Sequence, residues 1–322
     1  MINPTLEIPL DFDAYAAKKE ERFSKHLQDG VPDYAFSMDK QLRARLNSMG
    51  PLRSAAKSML SMVVPLMKQE LAMKAVAVGP NQYPEIYRMG EDCARILGIG
   101  VPQIYVQKSN EFNAYAIAVD DNASVVVLYS FLIEHMTPQE LMFIIGHECG
   151  HLHNLHGMYN TLANLMMNVG ANALLRSLGG AGAPIAMLAQ IMKLGIMSVM
   201  GSWSRCAEIT CDRAGVLCCK DPRAAQTALS KLASGLGEVN LEELRKQVST
   251  IKRSVLRFQE WQMSHPLVPK RVEAVHLFAR CQTLFDWHPD MRGTDETLTQ
   301  ADVDARCSQL VSLFDKDYQV EA

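Results

Sequence analysis

The segment His147-Glu148-Cys149-Gly150-His151 constrains this chain more than any other part of its sequence. On a helix, residues four positions apart lie on one face, so these two histidines can bind the same metal ion. Glu148 would then lie close to the ion, where it can take a proton from a water that the metal activates. The segment therefore predicts a helix that carries part of a zinc centre.

The flanking residues predict that this motif lies inside a helix. Thr137 can cap the N-terminus, Pro138 suits the first helical position, and Glu140 can close a capping box. Apolar residues follow at helical spacing, and Gly157 is the predicted end of the helix. The alternative interpretation is a solvated helix face that carries two histidines and a glutamate by coincidence.

A catalytic zinc centre needs a third protein ligand and an open position for water. A metzincin-type ligand is excluded, because Asn154 and Gly157 occupy the positions that would need glycine and histidine. His153 and His156 are predicted to lie on the helix face away from the metal, as packed or surface residues. The third ligand must therefore come from elsewhere in the chain.

Glu208 and Asp212 form a Glu-x-x-x-Asp pattern that offers this ligand. Glu208 can complete a His₂Glu ligand set, and Asp212 can accept a hydrogen bond from the outer nitrogen of a ligating histidine, expected to be His147. The alternative is an acidic helix face that pairs with Arg205 and Arg213.

A third segment contains His265 and Arg271. His265 can donate a hydrogen bond to the oxyanion of a tetrahedral intermediate. Arg271 can orient that histidine, neutralise Glu208 or Asp212, or hold substrate carbonyls. The alternative is a loop histidine that precedes a proline and a basic helix start.

Together these segments resemble the HtpX-like and CAAX-prenyl-protease family of zinc metallopeptidases, a branch of the gluzincins. The resemblance covers approximately residues 83–280. It implies one Zn²⁺ per chain, held by His147, His151 and Glu208. It also implies that Glu148 is the general base, that Asp212 supports a ligand, and that His265 and Arg271 border the cleft.

The resemblance extends to a hairpin before the motif helix. Asn113, Ala114, Tyr115 and Ala116 look like the family's hairpin segment. In similar enzymes an extended protein or peptide substrate lies along an edge strand, so these four residues are expected to bind substrate. The expected activity is zinc-dependent endopeptidase chemistry. The alternative is a latent or non-catalytic zinc-binding interaction module with an occluded cleft.

The predicted fold class is α+β and mainly α-helical, a gluzincin-like domain with a small β-sheet. Strands are expected near residues 103–107, 113–119 and 124–129, and Pro65 is expected to kink or break a helix over 52–74. The predicted organisation is an N-terminal helical segment, a peptidase domain and a C-terminal tail with a short helix, at residues 1–80, 81–288 and 289–322.

Residues 161–203 form an apolar insert between the two metal motifs. Its first half carries a polar stripe of asparagines, and its second half is too short to span a bilayer. We therefore expect a helical hairpin that packs over the domain or against a partner, with peripheral membrane contact as the alternative.

Composition favours a folded enzyme over a nucleic-acid-binding protein. Hydrophobic residues make up 48% and charged residues 21% of the chain, and the net charge is −3. The eight cysteines follow no disulfide or metal-binding spacing and are expected to be reduced, buried thiols. The N-terminal residues do not resemble a signal peptide, so a cytoplasmic location is expected.

Overall fold

The computed structural model describes residues 26–28, 31–48, 50–118, 124–157, 203–237, 239–250 and 268–312. The chain divides into two compact units, Met1–Asp33 and Tyr34–Ala322. In the first unit, strands β1 (Leu27–Gln28) and β2 (Val31–Pro32) pair antiparallel. All other described elements belong to the second unit. The predicted domain limits stay a prediction.

Helices make up most of the described part of the second unit. Two of them carry the metal motifs: α5 (Pro138–His153), the motif helix, and α6, described over residues 203–219. The other helices are α1 (Ser37–Ser48), α2 (Gly50–Lys74), α3 (Pro84–Leu97), α4 (Ser130–His135), α7 (Pro222–Ser234), α8 (Leu241–Thr250), α9 (Val268–Phe278), α10 (Gln282–Trp287) and α11 (Gln300–Val311).

A small mixed sheet lies beside the motif helix. Its described strands are β3 (Ala75–Ala77), β4 (Gln103–Gln107), β5 (Ala114–Ile117) and β6 (Val125–Tyr129), in the order β3-β4-β6-β5. β4 and β6 run parallel, while β3 and β5 are antiparallel to their neighbours. β6 is buried because its residues are β-branched or apolar on both faces. The predicted α+β class, mainly helical with a small sheet, is confirmed.

The motif helix α5 begins as its sequence predicts. Thr137 Oγ1 accepts a hydrogen bond from the Glu140 backbone N–H at 3.3 Å, and Glu140 Oε2 accepts one from the Thr137 N–H at 2.7 Å. This reciprocal capping box satisfies N–H groups that lack helical partners. Lys231 Nζ also donates to Glu140 Oε2 at 2.7 Å, which anchors the start of the helix on α7.

The end of the motif helix differs from the prediction. α5 ends at His153, before Gly157, and Asn154 is its C-terminal cap. Leu155 has a φ angle of 58°, in the left-handed region, so the chain reverses direction after one more residue. The Asn154 side chain donates to the Gly150 carbonyl at 3.0 Å and stabilises this ending. The predicted end at Gly157 is therefore wrong.

Pro65 lies inside α2 without ending it. The helix runs from Gly50 to Lys74, so the predicted break does not occur. A proline removes one backbone hydrogen bond and costs about 3 kcal/mol in a helix interior. Leu60 and Leu71, on either side of the proline, are buried, and their burial favours a helix that continues on both sides.

Two glycines let the motif helix approach α6 closely. A Cβ atom at Gly146 would lie 2.6 Å from the Cys218 Cβ, and one at Gly150 would lie 2.7 Å from the Ala214 Cβ and 3.1 Å from the Cys211 Cα. Real Cβ atoms essentially never come within 3.0 Å of another heavy atom, so the contacts at 2.6 and 2.7 Å could not form. The two helices can therefore pack at this separation only because both positions are glycine.

The substitution Gly150→Val tests this packing. We expect it to lower the free energy of unfolding by about 3 kcal/mol, the upper end of the usual cost of overpacking, because the helices must move apart. Urea denaturation measures the change. Gly293→Val is the matched control, since a Cβ at Gly293 meets no atom within 4 Å. Equal effects of the two variants would contradict the role of Gly150.

The eight cysteines all lie in the described part of the chain and are free thiols. Seven are buried, and Cys219 is partly exposed. Burial raises the pKa of Cys211 well above its ordinary value, with the nearby Glu208 carboxylate acting in the same direction. The pKa values of the other seven cysteines are raised as well, so all eight thiols are neutral at pH 7, which agrees with the prediction of reduced, buried cysteines.

Among residues that the structure describes, no helix has the length and apolar character needed to cross a bilayer. The predicted hairpin at residues 161–203 lies outside the described residues, except that Trp203 is part of α6. The interpretation of this insert stays a prediction.

Candidate metal centre

Three buried side chains converge between the motif helix and α6. His147 and His151 lie one turn apart on α5, and Glu208 faces them from α6. His147 Nε2 is 3.5 Å from Glu208 Oε2, and His151 Nε2 is 3.4 Å from Glu208 Oε1. Their donor atoms all lie within 4.8 Å of one another, so this group can hold a metal ion. The structure thus brings together the three residues that the sequence predicts as ligands.

The spacing of these donors fits a tetrahedral zinc ion. With metal–ligand distances of about 2.0–2.2 Å, two donors at a tetrahedral angle lie about 3.3–3.5 Å apart. His147 Nε2 and His151 Nε2 each lie at such a distance, 3.5 and 3.4 Å, from a different oxygen of the Glu208 carboxylate. The donor set of two imidazoles and one carboxylate is also a known catalytic zinc set. The residues present therefore fit Zn²⁺.

Burial sets the protonation of His151. Desolvation lowers the pKa of His151 below its ordinary value, and the neighbouring His147 acts in the same direction, whereas Glu208 opposes the shift. The neutral imidazole is the form that binds metal. Burial thus favours the ligand form of this side chain.

Asp212 supports the other histidine from behind. Its Oδ1 atom is 3.0 Å from His147 Nδ1, the nitrogen that faces away from Glu208. Burial is the largest single influence and raises the pKa of Asp212, but the Arg271 guanidinium and the His147 imidazole together outweigh it and hold this pKa below its ordinary value. A carboxylate in this position accepts the Nδ1–H hydrogen bond and leaves Nε2 free for a metal.

Arg271 binds both acidic side chains of α6. Its Nε and Nη2 atoms donate to Asp212 at 2.8 and 2.6 Å, and Nη1 is 3.1 Å from Glu208 Oε2. Among the three roles that the sequence indicates for Arg271, these contacts correspond to neutralising the charges of Glu208 and Asp212. The alternative pairing with Arg213 is not observed, because Arg213 binds Asp304 at 2.8 Å. Burial opposes the charge of Arg271, but Asp212 and Glu208 raise its pKa.

His156 lies beside a candidate ligand, contrary to the prediction that it faces away. The reversal at Leu155 carries it back, and its Nδ1 atom is 3.3 Å from His151 Nδ1. Cys211 Sγ lies 3.1 Å from the same His151 nitrogen. The prediction assumed that the helix continues to residue 157. Because the helix ends at His153, the prediction is wrong for His156. His153 does face away and is 2.9 Å from the Tyr34 hydroxyl.

The remaining predicted site residues differ in how far the structure describes them. Glu148 is buried on the motif helix, between the two histidines in sequence. Ala114, Tyr115 and Ala116 lie on β5, an edge strand of the described sheet, and Asn113 directly precedes it. His265 lies outside the described residues.

The chain is similar to a known peptidase family and to individual known proteins. Residues 80–278 match the model of Peptidase family M48. Over 261 residues the chain is 29% identical to the Arabidopsis thaliana protein named plastoglobule-localized metallopeptidase 48, chloroplastic. The aligned region covers 77% of this chain and 72% of that relative. The crystal structure of S. mikatae Ste24p matches at 17% identity with a TM-score of 0.42 and covers 74% of this chain and 64% of that chain. The family match spans more than half of the chain and confirms the resemblance carried by the motifs: the chain belongs to peptidase family M48.

Proposed function

We propose that the protein is a zinc-dependent endopeptidase that hydrolyses internal peptide bonds of protein or peptide substrates. The observation that carries this proposal is the convergence of His147, His151 and Glu208, with donor separations of 3.4 and 3.5 Å that suit tetrahedral zinc. Membership of a peptidase family gives independent support for hydrolytic chemistry.

Each side chain of the site has a distinct task in this proposal. Bound zinc would supply Lewis-acid activation of water and polarisation of the scissile carbonyl. Glu148 takes a proton from the attacking water and passes it to the leaving nitrogen. Asp212 orients His147, and Arg271 compensates the charge of the two acids. His265 is assigned the oxyanion hydrogen bond on the strength of the family resemblance.

Strand β5 is the proposed binding strand for the substrate backbone. In the described sheet its one paired neighbour is β6, so its other edge offers backbone N–H and C=O groups for an added strand. The Asn113 carbonyl accepts a hydrogen bond from the Tyr129 N–H at 3.1 Å, which continues the pairing beyond the strand. An extended segment of an unfolded or flexible protein fits this mode of binding.

Replacing Glu208 with glutamine tests the metal site directly. We expect the zinc affinity to fall by more than the roughly 10–100-fold cost of losing an outer hydrogen-bond partner, because a charged ligand is lost. Elemental analysis and chelator competition measure zinc binding, and cleavage of an unfolded protein measures activity. Glu134→Gln is the matched control, since Glu134 is exposed on α4.

The outcomes separate the two candidate functions. One zinc per wild-type chain, with cleavage that Glu208→Gln loses, supports the peptidase. One zinc per chain without cleavage would favour the non-catalytic zinc-binding alternative. A wild-type protein that binds no zinc would contradict the assignment of His147, His151 and Glu208 as zinc ligands.

A further inference from the structure

The two candidate histidine ligands differ in what lies behind them. His147 Nδ1 faces the Asp212 carboxylate directly at 3.0 Å. His151 Nδ1 faces a second imidazole, that of His156, at 3.3 Å and the thiol of Cys211 at 3.1 Å. Ligating histidines usually donate their outer N–H to a carboxylate, a carbonyl or water. The arrangement behind His151 therefore needs its own explanation.

A carboxylate is present behind His151, one residue further out. The Nε2 atom of His156 is 3.0 Å from Asp39 Oδ2. Asp39 is 2% exposed and His156 is fully buried, so both groups are shielded from water. The same Asp39 oxygen accepts a hydrogen bond from the Thr210 hydroxyl at 2.7 Å. His151 therefore reaches a carboxylate through His156, whereas His147 contacts the Asp212 carboxylate directly.

Metal binding determines how protons must be arranged along this row. A metal on Nε2 of His151 leaves the proton on its Nδ1, which then donates to the Nδ1 lone pair of His156. His156 consequently carries its proton on Nε2 and donates it to Asp39. An imidazole nitrogen is a stronger acceptor than a thiol, so His156 is the main partner and Cys211 a weaker one.

Asp39 belongs to a helix outside the region that matches the family. Residues 80–278 match, whereas α1 covers Ser37–Ser48. Several contacts fix α1 in place. The Arg43 guanidinium donates to the Asn154 carbonyl at 2.7 Å, directly after the motif helix. The Ser37 N–H donates to Asp304 on α11 at 3.1 Å, and the Phe36 N–H donates to the Thr210 hydroxyl at 3.1 Å.

We infer that Asp39 and His156 are positioning residues that hold the His151 imidazole for metal binding, and that helix α1 is thereby part of the metal centre. The inference rests on the proposed function, since it assumes that His151 is a ligand. The row Asp39–His156–His151 connects helix α1 to the motif helix and the turn after it through buried polar contacts. Moving α1 would remove the terminal acceptor and loosen one ligand.

A second metal site is the competing interpretation of the same cluster. His151, His156 and Cys211 also place three potential donor atoms within 4.8 Å of one another. Such a site would use Nδ1 of His151 while Nε2 serves the first site. A neutral imidazole has a single lone pair on nitrogen, so filling both sites requires the imidazolate anion. The hydrogen-bonded row needs no such deprotonation.

The experiment compares zinc affinity among His156 variants of the full chain. His156→Leu removes both ring nitrogens, and we expect it to weaken zinc binding roughly 10–100-fold in chelator competition. His156→Gln keeps a donor and an acceptor and should restore most of the affinity. The d–d spectrum of the Co²⁺-loaded protein gives a second readout, which changes for His156→Leu because the ligand geometry relaxes.

The matched control is His288→Leu. His288 is a buried histidine whose Nε2 is 2.8 Å from the Leu217 carbonyl, so the variant also loses a buried hydrogen bond. We expect it to lower stability in the presence of chelator and to leave zinc affinity unchanged. A purely structural role of His156 would make its variants behave in the same way.

Each outcome decides the inference. The inference is overturned if the zinc affinity of His156→Leu lies within threefold of the wild-type value. It is also overturned if the wild type binds two zinc ions and His156→Leu binds only one, because His156 would then be a ligand of a second site. If His156→Leu does not fold, the same measurements are made on Asp39→Asn. A zinc affinity and a Co²⁺ spectrum that equal those of the wild type would then overturn the inference. A wild type that binds no zinc overturns the proposed function as well, which distinguishes the two failures.

Discussion

Replacing Glu148 with glutamine is expected to abolish measurable peptide cleavage while the protein keeps its zinc. Glutamine has nearly the same shape but cannot accept a proton at neutral pH, so the attacking water would lose its base. General-base catalysis contributes about 10²–10⁴-fold to a rate, and we expect kcat to fall by at least that factor. Glu148 is not one of the three converging donors, so elemental analysis should still find one zinc per chain.

Two further variants make this result interpretable. Glu134→Gln makes the same chemical change at an exposed position and should leave both zinc and cleavage unchanged. Glu208→Gln should lose zinc and activity together. The contrast between Glu148→Gln and Glu208→Gln separates proton transfer from metal binding. Cleavage by Glu148→Gln at close to the wild-type rate would show that another group is the base.

The parts of the fold that the sequence predicts well depend on local interactions. The capping box of α5 and the strands near residues 103–107 and 124–129 agree with the structure to within one residue. Capping residues and runs of β-branched, apolar residues involve neighbours along the chain, so the sequence displays them directly. The motif spacing likewise predicts which donors converge, because helical geometry is regular.

The end of the motif helix is not predicted because it combines an unusual backbone conformation with a contact from a distant segment. Leu155 adopts a left-handed conformation, which a leucine rarely does, and no glycine marks the reversal. Tertiary contacts hold this turn, since the Asn154 carbonyl accepts a hydrogen bond from Arg43 on α1 at 2.7 Å. Asn154 is a local signal for this ending, because its side chain donates a hydrogen bond to the Gly150 carbonyl of the last turn at 3.0 Å.

Asp39 could not be found from the sequence because its partner is distant. It lies 117 positions from His156, and no periodicity connects the two segments. Arg271 presents an intermediate case. The sequence indicates three roles for it, and only the folded arrangement shows its guanidinium between Glu208 and Asp212. Contacts between distant segments depend on packing, which local patterns do not encode.

The substitution Arg271→Met is expected to destabilise the metal-free protein strongly. It removes the arginine that forms ion pairs with both Glu208 and Asp212, and both acids are at least 98% buried. Removing one partner of a buried ion pair costs about 3–5 kcal/mol, because the remaining charge stays away from water. Urea denaturation in the presence of a chelator measures the loss in the free energy of unfolding.

Zinc should reduce this loss. A bound divalent cation would place positive charge next to Glu208 and replace part of the compensation that Arg271 provides. Saturating zinc should therefore stabilise Arg271→Met more than it stabilises the wild type. The measurement is the difference in unfolding free energy between zinc-loaded and chelator-treated samples of each protein.

Arg213→Met is the matched control for this prediction. Arg213 is another buried arginine on the described chain, and it pairs with Asp304 on α11 instead of the metal-site acids. Its loss should destabilise the protein as well, but the gain from zinc should equal that of the wild type. A gain from zinc that is the same in all three proteins would mean that Arg271 and the metal do not share the charge of Glu208. Since one carboxylate oxygen lies 3.1 Å from Arg271 and 3.5 Å from a candidate ligand nitrogen, such independence would also argue against Glu208 as the third ligand.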